Sequence, residues 1–295
     1  MDTASPEDRF RQVLAGLSDG QRARVKAAAP EAERRAADAA SHWDFTLPAQ
    51  AVDIVLGPKA EDAVRRGLIA RWSLGVIERA AHLDMPPQVL DLYPYWLDKM
   101  ADFLLQAVEP YDADFWAKDV RFALALSVPG ARSQVIDLSS PFGPGQTVRH
   151  AVQGRGLSAP LNWLRHGGWK TWLEVHTESR HLDDFNEEGW NRAWATAAAI
   201  CERKPELAGM IGSSWFYDPP LTEISPRLAH LRLNPLKGGA FMVHQGPGEI
   251  HTERAGTASP TRKALIDSGD YTARSWLMAW PRDSLVAWGR AREAA

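Results

Sequence analysis

Residues 168–240 constrain the fold more than any other part of the chain. Short apolar runs that are typical of buried strands alternate here with longer segments that carry helix signals. The run at residues 170–176 is followed by a helix start at Asn186, where a side-chain acceptor and two acidic residues favour the first turn. That helix is predicted to end at Lys204, and MIGSSWFYD predicts the next strand. Strands and helices in this order predict a mixed sheet with helices packed on it.

The part of the chain before residue 113 is predicted to be mainly helical. Residues 44–58 interrupt it and read as extended or loop-like, and Pro94 is predicted to open the last helix. The helix signals fall in residues 6–17, 21–42, 59–82 and 94–109. We therefore predict two parts, a helical region over residues 1–112 and a mixed α/β domain over residues 113–295.

Hairpins are predicted at both ends of the second part. Residues 122–138 alternate in polarity on either side of a turn at residues 129–130, and residues 273–288 predict a second hairpin that turns at residues 281–283. Between the first hairpin and the buried strands, residues 141–168 carry many glycines and prolines and read as a long connecting loop. AFMVH predicts a third buried strand, and residues 245–260 read as a second irregular loop.

Composition excludes several classes of protein. The formal net charge is −3 in 295 residues, which offers no general attraction for nucleic acid. No apolar run approaches the roughly 20 residues that a membrane span needs. The N-terminal segment has no continuous apolar core of the kind a signal peptide carries, so a cytoplasmic location is expected. The expected partner is therefore a small-molecule substrate. These features do not decide between a monomer and a homo-oligomer.

Cysteine and tryptophan are the two informative residue types. The single cysteine, Cys201, excludes an internal disulfide and cysteine-rich zinc motifs. It lies in an Ala-rich helical run, which favours a buried structural thiol. The thirteen tryptophans predict a core filled with large rings, with an aromatic-lined pocket as the alternative.

The order of elements after residue 120 resembles a known family. Hairpin, strand, helix, strand, helix, strand, short helix and hairpin follow one another to about residue 290, and GNAT-type acyltransferases have a sheet that meets helices in the same alternation and ends in strands. Their acyl-CoA motif, Gln or Arg followed by Gly-x-Gly or Gly-x-Ala at the helix start after the central strand, is absent here, where the chain reads HTESRHLDDFNEEG. The resemblance implies an α/β fold and N-acyl transfer from acyl-CoA or an acyl carrier.

The first candidate site follows the strand at residues 170–176. His176 and Glu178 point the same way if the strand continues, and His181 lies close by in sequence. A histidine beside a carboxylate is suited to general acid–base catalysis. The same pair, completed by His244, would instead make the two-histidine, one-carboxylate site that holds Fe(II) in oxygenases. Local hydrogen bonding and pairing with Arg180 is the structural alternative.

The second candidate site lies at the end of the next strand. Tyr217 is a candidate general acid and Asp218 a candidate orienting carboxylate, while Ser213 and Ser214 are candidate hydrogen-bond donors to a substrate. Packing of the aromatic rings on the two faces of the strand is the structural alternative. Two cations would bind an acidic group of the substrate, namely Arg180 and Arg254.

Together these residues predict an enzyme with a pocket at the strand ends. The leading hypothesis is acyl or other group transfer to a small polar substrate, with His176 and Glu178 as catalytic acid and base. An Fe(II)-dependent oxygenase is the second hypothesis. A non-enzymatic binding or assembly module that uses an aromatic surface is the third.

Overall fold

The computed structural model describes residues 4–40, 44–140, 158–168, 170–257 and 259–293. The chain forms two compact units. The first unit comprises Met1–Ser140 with Thr177–Asp183, and the second comprises Pro141–His176 with Asp184–Ala295. A helical N-terminal region is followed along the chain by strands and helices that build a mixed sheet, so the predicted α/β fold class is confirmed.

The first unit is mainly helical. Its strands β1 (Ser127–Pro129) and β2 (Gln134–Ser140) pair antiparallel, with Val128 opposite Ile136. Helices α1 and α4 pack together, and α6 and α7 both pack on β1. The helices are α1 (Pro6–Ala15), α2 (Asp19–Ala39), α3 (Leu47–Leu56), α4 (Asp62–Ser73), α5 (Val76–Ala81), α6 (Pro87–Gln106) and α7 (Ala113–Ala123).

Side-chain caps fix where several of these helices begin. Ser18 and Gln21 form a reciprocal capping box at the start of α2. Asp112 accepts hydrogen bonds from the backbone N–H groups of Asp114 and Phe115 at the start of α7. Because these caps satisfy N–H groups that have no partner within the helix, they stabilise the helix starts.

Two predictions about the helical region were wrong. Residues 44–58 are not extended, because Ala49, Val52 and Leu56 are buried at helical spacing on α3. Pro94 does not open α6 but lies inside it, whereas Pro87 occupies the first turn. A proline in the first turn loses no hydrogen bond, which is why Pro87 marks the true start.

The predicted hairpin over residues 122–138 is correct only in its second half. The helix capped by Asp112 continues to Ala123, so Phe122 is buried on α7 and not on a strand. The first strand is therefore reduced to Ser127–Pro129. The alternation of apolar residues did not distinguish the last turn of a buried helix from a short strand.

The second unit contains a four-stranded mixed sheet in the order β3-β4-β6-β5. The strands are β3 (Trp172–Thr177), β4 (Gly209–Ser214), β5 (Phe241–Pro247) and β6 (Arg274–Pro281). The helices are α8 (Ser158–Arg165), α9 (Glu187–Arg203), α10 (Leu221–Ile224), α11 (Ala229–Lys237), α12 (Glu249–Thr257), α13 (Pro260–Asp267) and α14 (Arg282–Glu293). Residues 141–157 of the predicted connecting loop lie outside the described residues.

The strand directions bring three strand ends to one edge. β3 and β4 are parallel, and β6 runs antiparallel to both β4 and β5. β3, β4 and β5 therefore share one direction, and their carboxyl ends lie at the edge where β6 begins. The three strands are not all adjacent, because β6 is inserted between β4 and β5.

Three further elements of the second unit differ from the predictions. β4 ends at Ser214, and Trp215–Tyr217 forms a 3-10 turn, so Tyr217 is not on the strand. The predicted loop over residues 245–260 contains α12. The predicted closing hairpin is β6 followed by α14, because Leu285 and Trp288 lie three residues apart on a helix that packs against α9.

Tryptophan rings fill the core on both faces of this sheet, which confirms the prediction of a ring-filled core. Trp163 and Trp172 stack with their ring centroids 4.6 Å apart. They belong to a core cluster with Ile211, Val243 and Leu277 on one face. On the other face four indoles pack together. Trp194 packs against Trp190, Trp280 and Trp288, and Trp280 packs against Trp288, with ring centroids between 5.0 and 6.2 Å apart.

Among the described residues, none of the helices combines the length and the apolar character that crossing a bilayer would require.

A glycine at the start of β4 is required by its surroundings. Gly209 has a φ of +145°, and a Cβ there would lie 2.2 Å from the backbone oxygen of Trp280. We expect Gly209→Ala to lower the free energy of unfolding by about 2 kcal/mol or more, because the clash is with backbone that cannot move aside. Urea unfolding would measure this.

The matched control is Gly20→Ala, since a Cβ at this helical position meets nothing within 4 Å. It should change stability by no more than about 0.5 kcal/mol. Equal stabilities of the two variants would contradict the assignment of strain to Gly209.

Candidate functional site

The second unit places His176 beside a carboxylate that the sequence analysis did not single out. His176 Nε2 lies 3.5 Å from Glu174 Oε2. The two residues are two apart on β3, so they project from the same face of the sheet. This distance is that of an ion pair when the imidazole is protonated, and it exceeds the usual hydrogen-bond range. The histidine therefore has a carboxylate partner within its own unit.

Strand pairing brings a serine next to His176. Leu173 lies opposite Met210 and Glu174 opposite Ile211 in the parallel β3–β4 pair. Continued by two residues, this register places His176 opposite Ser213. Ser213 is exposed whereas the other residues of β4 are buried, so its hydroxyl lies at an accessible place on the sheet.

A hydroxyl and amide cluster continues from Ser213 across the sheet. The hydroxyls of Ser213 and Ser275 both donate to Gln245 Oε1, the latter at 2.8 Å, and the two hydroxyls are 3.4 Å apart. Among the described residues, no acceptor is bonded to the Nε2 of Gln245. Its amide N–H groups are therefore available to a bound molecule.

Asp218 is fully buried and serves as the centre of a second network. Its carboxylate accepts hydrogen bonds from the Tyr271 hydroxyl at 3.2 Å and from Trp276 Nε1 at 3.0 Å. The backbone N–H and the Nε of Arg274 also donate to it, at 3.3 and 3.4 Å. Asp218 thus orients Arg274, Tyr271 and Trp276, which are partners that the sequence did not indicate for the orienting carboxylate predicted here.

Tyr217 and Ser214 have structural contacts. Burial, and then the charge of Glu174, raise the pKa of Tyr217 above its ordinary value, so its hydroxyl remains protonated at neutral pH. A Cβ at Gly212 would lie 2.9 Å from that hydroxyl, which shows how closely the ring covers the strand. Ser214 accepts a hydrogen bond from the backbone N–H of Phe216 and caps the 3-10 turn.

The remaining predicted residues of the second unit lie on separate elements. His244 lies on β5 and packs against Trp276, with ring centroids 4.7 Å apart. Arg254 lies in the last turn of α12. Within the described part of the chain, no group of three or more His, Cys, Asp or Glu side chains has the arrangement of a metal site. The metal site predicted from His176, Glu178 and His244 gains no support from this arrangement.

Glu178 belongs to the first unit, where it forms a buried charge network. β3 ends at Thr177, and the N–H of Glu178 donates to the carbonyl oxygen of Ser133. Arg180 donates to Glu178 through Nε and Nη2, at 3.1 and 3.0 Å, and to Asp119 at 2.6 and 2.9 Å. The Tyr111 hydroxyl also donates to Asp119, at 2.6 Å.

This network engages all three nitrogens of the Arg180 guanidinium. All three of its nitrogens donate to carboxylates, and the rings of Phe103 and Phe115 lie 4.4 Å from it. Arg180 is therefore engaged within the protein and is poorly placed for the substrate-binding role predicted for it. Glu178 is likewise engaged, and it has 2 % of its surface exposed. Their roles in the first unit are those of a buried ion-pair network.

His181 lines a small cavity next to this network. The ring lies edge-on to Trp96, with centroids 6.0 Å apart, and burial lowers its pKa. The cavity has a volume of about 10 Å³, which is room for one water molecule. Phe45, Phe122 and Ser127 are among the other lining residues. No small polar substrate fits a space of this size.

Cys201 is buried on α9, as its Ala-rich surroundings predicted. Burial raises its pKa to about 12. The side chain is therefore a thiol at neutral pH and not a nucleophilic thiolate.

Four residues of the second unit's site were not predicted from the sequence, and the spacing along the strand could have identified one of them. Glu174 lies two residues before His176 on a strand, and this spacing alone places both on one face. Gln245, Ser275 and Arg274 come from strands that are distant in sequence, so only the strand order brings them to this site.

Comparison of the chain with protein-family models, with curated proteins and with solved structures gave no match.

Removing the cation from the first unit's network tests how strongly that network stabilises the fold. We expect Arg180→Met to lower the free energy of unfolding by about 3–5 kcal/mol, because two carboxylates would be left buried without their cation. Arg34→Met is the matched control, since Arg34 bridges Glu31 and Asp38 in the same way on an exposed helix face. It should change little. Similar losses in both variants would contradict a special role for the buried network.

The same network predicts a pH dependence. Burial alone would raise the pKa of Glu178. The hydrogen bonds and the charge of Arg180 lower it by more than burial raises it, so the pKa of Glu178 lies below its ordinary value. The ionised carboxylate therefore stabilises the folded chain above about pH 4.5, and this contribution is lost as the pH falls through the lower folded-state pKa.

Glu178→Gln removes that titrating group. We expect the variant to be less stable than the unsubstituted chain at pH 7, and we expect the difference to shrink as the pH falls from 5 to 3. Urea unfolding at several pH values would measure it. A difference that stays constant with pH would show that the Glu178 charge is not responsible.

Proposed function

We propose that the second unit catalyses acyl or other group transfer to a small polar substrate, with His176 as the general base. The observation that carries the proposal is the His176–Glu174 pair near the carboxyl end of β3, next to the parallel strand β4 that carries Ser213. Open α/β sheets bind their ligands at such an edge. Imidazole is the side chain whose ordinary pKa best suits proton transfer at neutral pH.

The predicted resemblance to GNAT-type acyltransferases supports the same class of reaction. In the second unit, strands and helices alternate from β3 through α9, β4, α11 and β5 to β6. This is the central part of the alternation on which the resemblance is based, whereas the closing hairpin of that order is replaced by β6 and α14. A shared fold does not by itself give a function, so the proposal depends on the residues at the strand edge.

The chemistry assigned to these residues is a proton transfer coupled to acyl transfer. As the nitrogen or oxygen of the acceptor attacks the acyl carbonyl carbon, His176 takes the proton that the acceptor loses. The new bond to the acyl carbon forms and the bond to the leaving thiol breaks, and the imidazolium returns the proton to the thiolate. Glu174 stabilises the imidazolium while it exists.

Gln245 supplies the complementary part of the site. Its Oε1 is held by Ser213 and Ser275, so its Nε2 is left to donate to the carbonyl oxygen on which negative charge develops. A fixed donor at this place lowers the barrier because it needs no reorganisation during the reaction.

The test is thiol release by the full chain from a panel of acyl-CoA and acyl-carrier thioesters, each with primary amines and alcohols as acceptors. We expect acceptor-dependent release. His176→Gln should lower kcat by about 10²–10⁴-fold, the usual contribution of general base catalysis. Glu174→Gln should lower kcat by less than His176→Gln does, since the imidazolium that forms during the reaction loses the carboxylate that stabilises it.

His82→Gln is the control, because His82 is an exposed histidine of the first unit. It should leave the rate unchanged. A folded His176→Gln variant with the full rate would contradict the assignment of the base, and no thiol release from any thioester would contradict acyl transfer.

A further inference from the structure

The segment from the end of β4 to the start of β6 contains a cluster of arginines. Four arginines of this segment form the cluster, namely Arg227, Arg232, Arg262 and Arg274. Among the residues that the structure describes, the single carboxylate in hydrogen-bond or ion-pair contact with any of the four is Asp218, which pairs with Arg274. Counted over these contacts alone, four guanidinium groups and one carboxylate leave an excess of three positive charges.

Arg262 is the least expected of these cations. It is 2 % exposed, and it donates from Nε to the carbonyl oxygen of Ala255 at 2.7 Å and from Nη1 to the Ser225 hydroxyl at 3.1 Å. Its guanidinium also lies 5.0 Å from the centroid of the Trp215 ring. These acceptors are neutral, so they satisfy hydrogen bonds without neutralising the charge. A buried charge without an opposite charge is costly.

Arg274 is held in a fixed orientation. The Asp218 carboxylate accepts hydrogen bonds from the backbone N–H and from Nε of Arg274, so the Arg274 guanidinium cannot turn freely. The Arg274 side chain is nevertheless 41 % exposed. Within the described residues, neither Nη nitrogen of Arg274 makes a hydrogen bond. An arginine held by a buried carboxylate with its outer edge free presents a ready fork to an oxyanion.

Arg232 and Arg227 complete the cluster. Arg232 donates from Nη1 to the carbonyl oxygen of Tyr217 at 2.6 Å and lies 5.2 Å from the centroid of the Trp276 ring. Arg227 is exposed. After burial, the charge of Arg227 is what lowers the pKa of Arg262, so the two cations are close enough to repel each other.

We propose that this arginine cluster binds the phosphate group of a small molecule. The excess of three positive charges favours a ligand with more than one negative charge, and a phosphate ester carries about two at neutral pH. Arginine forks match phosphate oxygens in geometry as well as in charge. The inference is independent of the proposed transfer reaction, since it depends on charge around Asp218 and not on His176.

The experiment measures binding of inorganic pyrophosphate to the full chain by calorimetry, and by the shift in thermal unfolding. Sodium chloride at the same ionic strength controls for screening, and citrate is a polycarboxylate of similar charge. We expect pyrophosphate to raise the unfolding temperature more than either, because a ligand that binds the folded state alone stabilises it.

Variants then locate the site. Arg274→Gln and Arg232→Gln should each weaken pyrophosphate binding about tenfold or more, since each removes a charge-assisted contact. Arg290→Gln is the matched control, because it removes the same charge from the second unit at an exposed arginine that pairs with Glu202. Its dissociation constant for pyrophosphate should be unchanged.

Three results would overturn the proposal. The first is stabilisation by pyrophosphate that does not exceed that by sodium chloride. The second is binding that survives both Arg274→Gln and Arg232→Gln, or that is lost equally in Arg290→Gln, because the anion would then lie elsewhere. The third is binding of citrate without binding of pyrophosphate, which would replace phosphate by a polycarboxylate.

Discussion

Buried charges have to be neutralised close by, and the two units meet this constraint in different ways. In the first unit, Arg180 lies between Asp119 and Glu178, and the charge of Lys118 further lowers the pKa of Glu178. Cations and carboxylates are balanced there, so the network stabilises the fold and leaves little for a ligand to do. In the second unit, Asp218 is the one carboxylate that contacts any of the four clustered arginines among the described residues, and it pairs with Arg274. That imbalance is the kind of feature that function, and not stability, explains.

The sequence predicts the order of buried strands and long helices well but their boundaries less well. β3, α9 and β4 are recovered because long apolar periodicity and a strong cap at Asn186 agree with each other. The errors fall where one pattern fits two structures. Apolar residues near Phe122 and near Leu285 satisfy a strand alternation over a few residues, and only the neighbouring cap or packing partner shows that they are helical.

The candidate site shows a different limit. His176 and Ser213 were both singled out from the sequence, and the parallel register of β3 with β4, continued by two residues, places them opposite each other. The carboxylate partner was assigned to Glu178, on the assumption that the strand continues. β3 ends at Thr177, so the alternation of side chains stops one residue too early for Glu178, and Glu174 remains on the same face as His176. A one-residue error in a strand end is enough to exchange the partner.

β4 connects the two parts of the second unit to which we assign chemistry. Ser213 is its last exposed residue and is bonded to Gln245, and Trp215, two residues later, lies beneath the guanidinium of Arg262. Rigid strands hold such groups more accurately than loops do. A molecule whose phosphate is bound by the arginines would therefore lie close to the segment that directly follows Ser213. The short length of chain between Ser213 and Trp215 is the physical reason to expect that binding at one place affects the other.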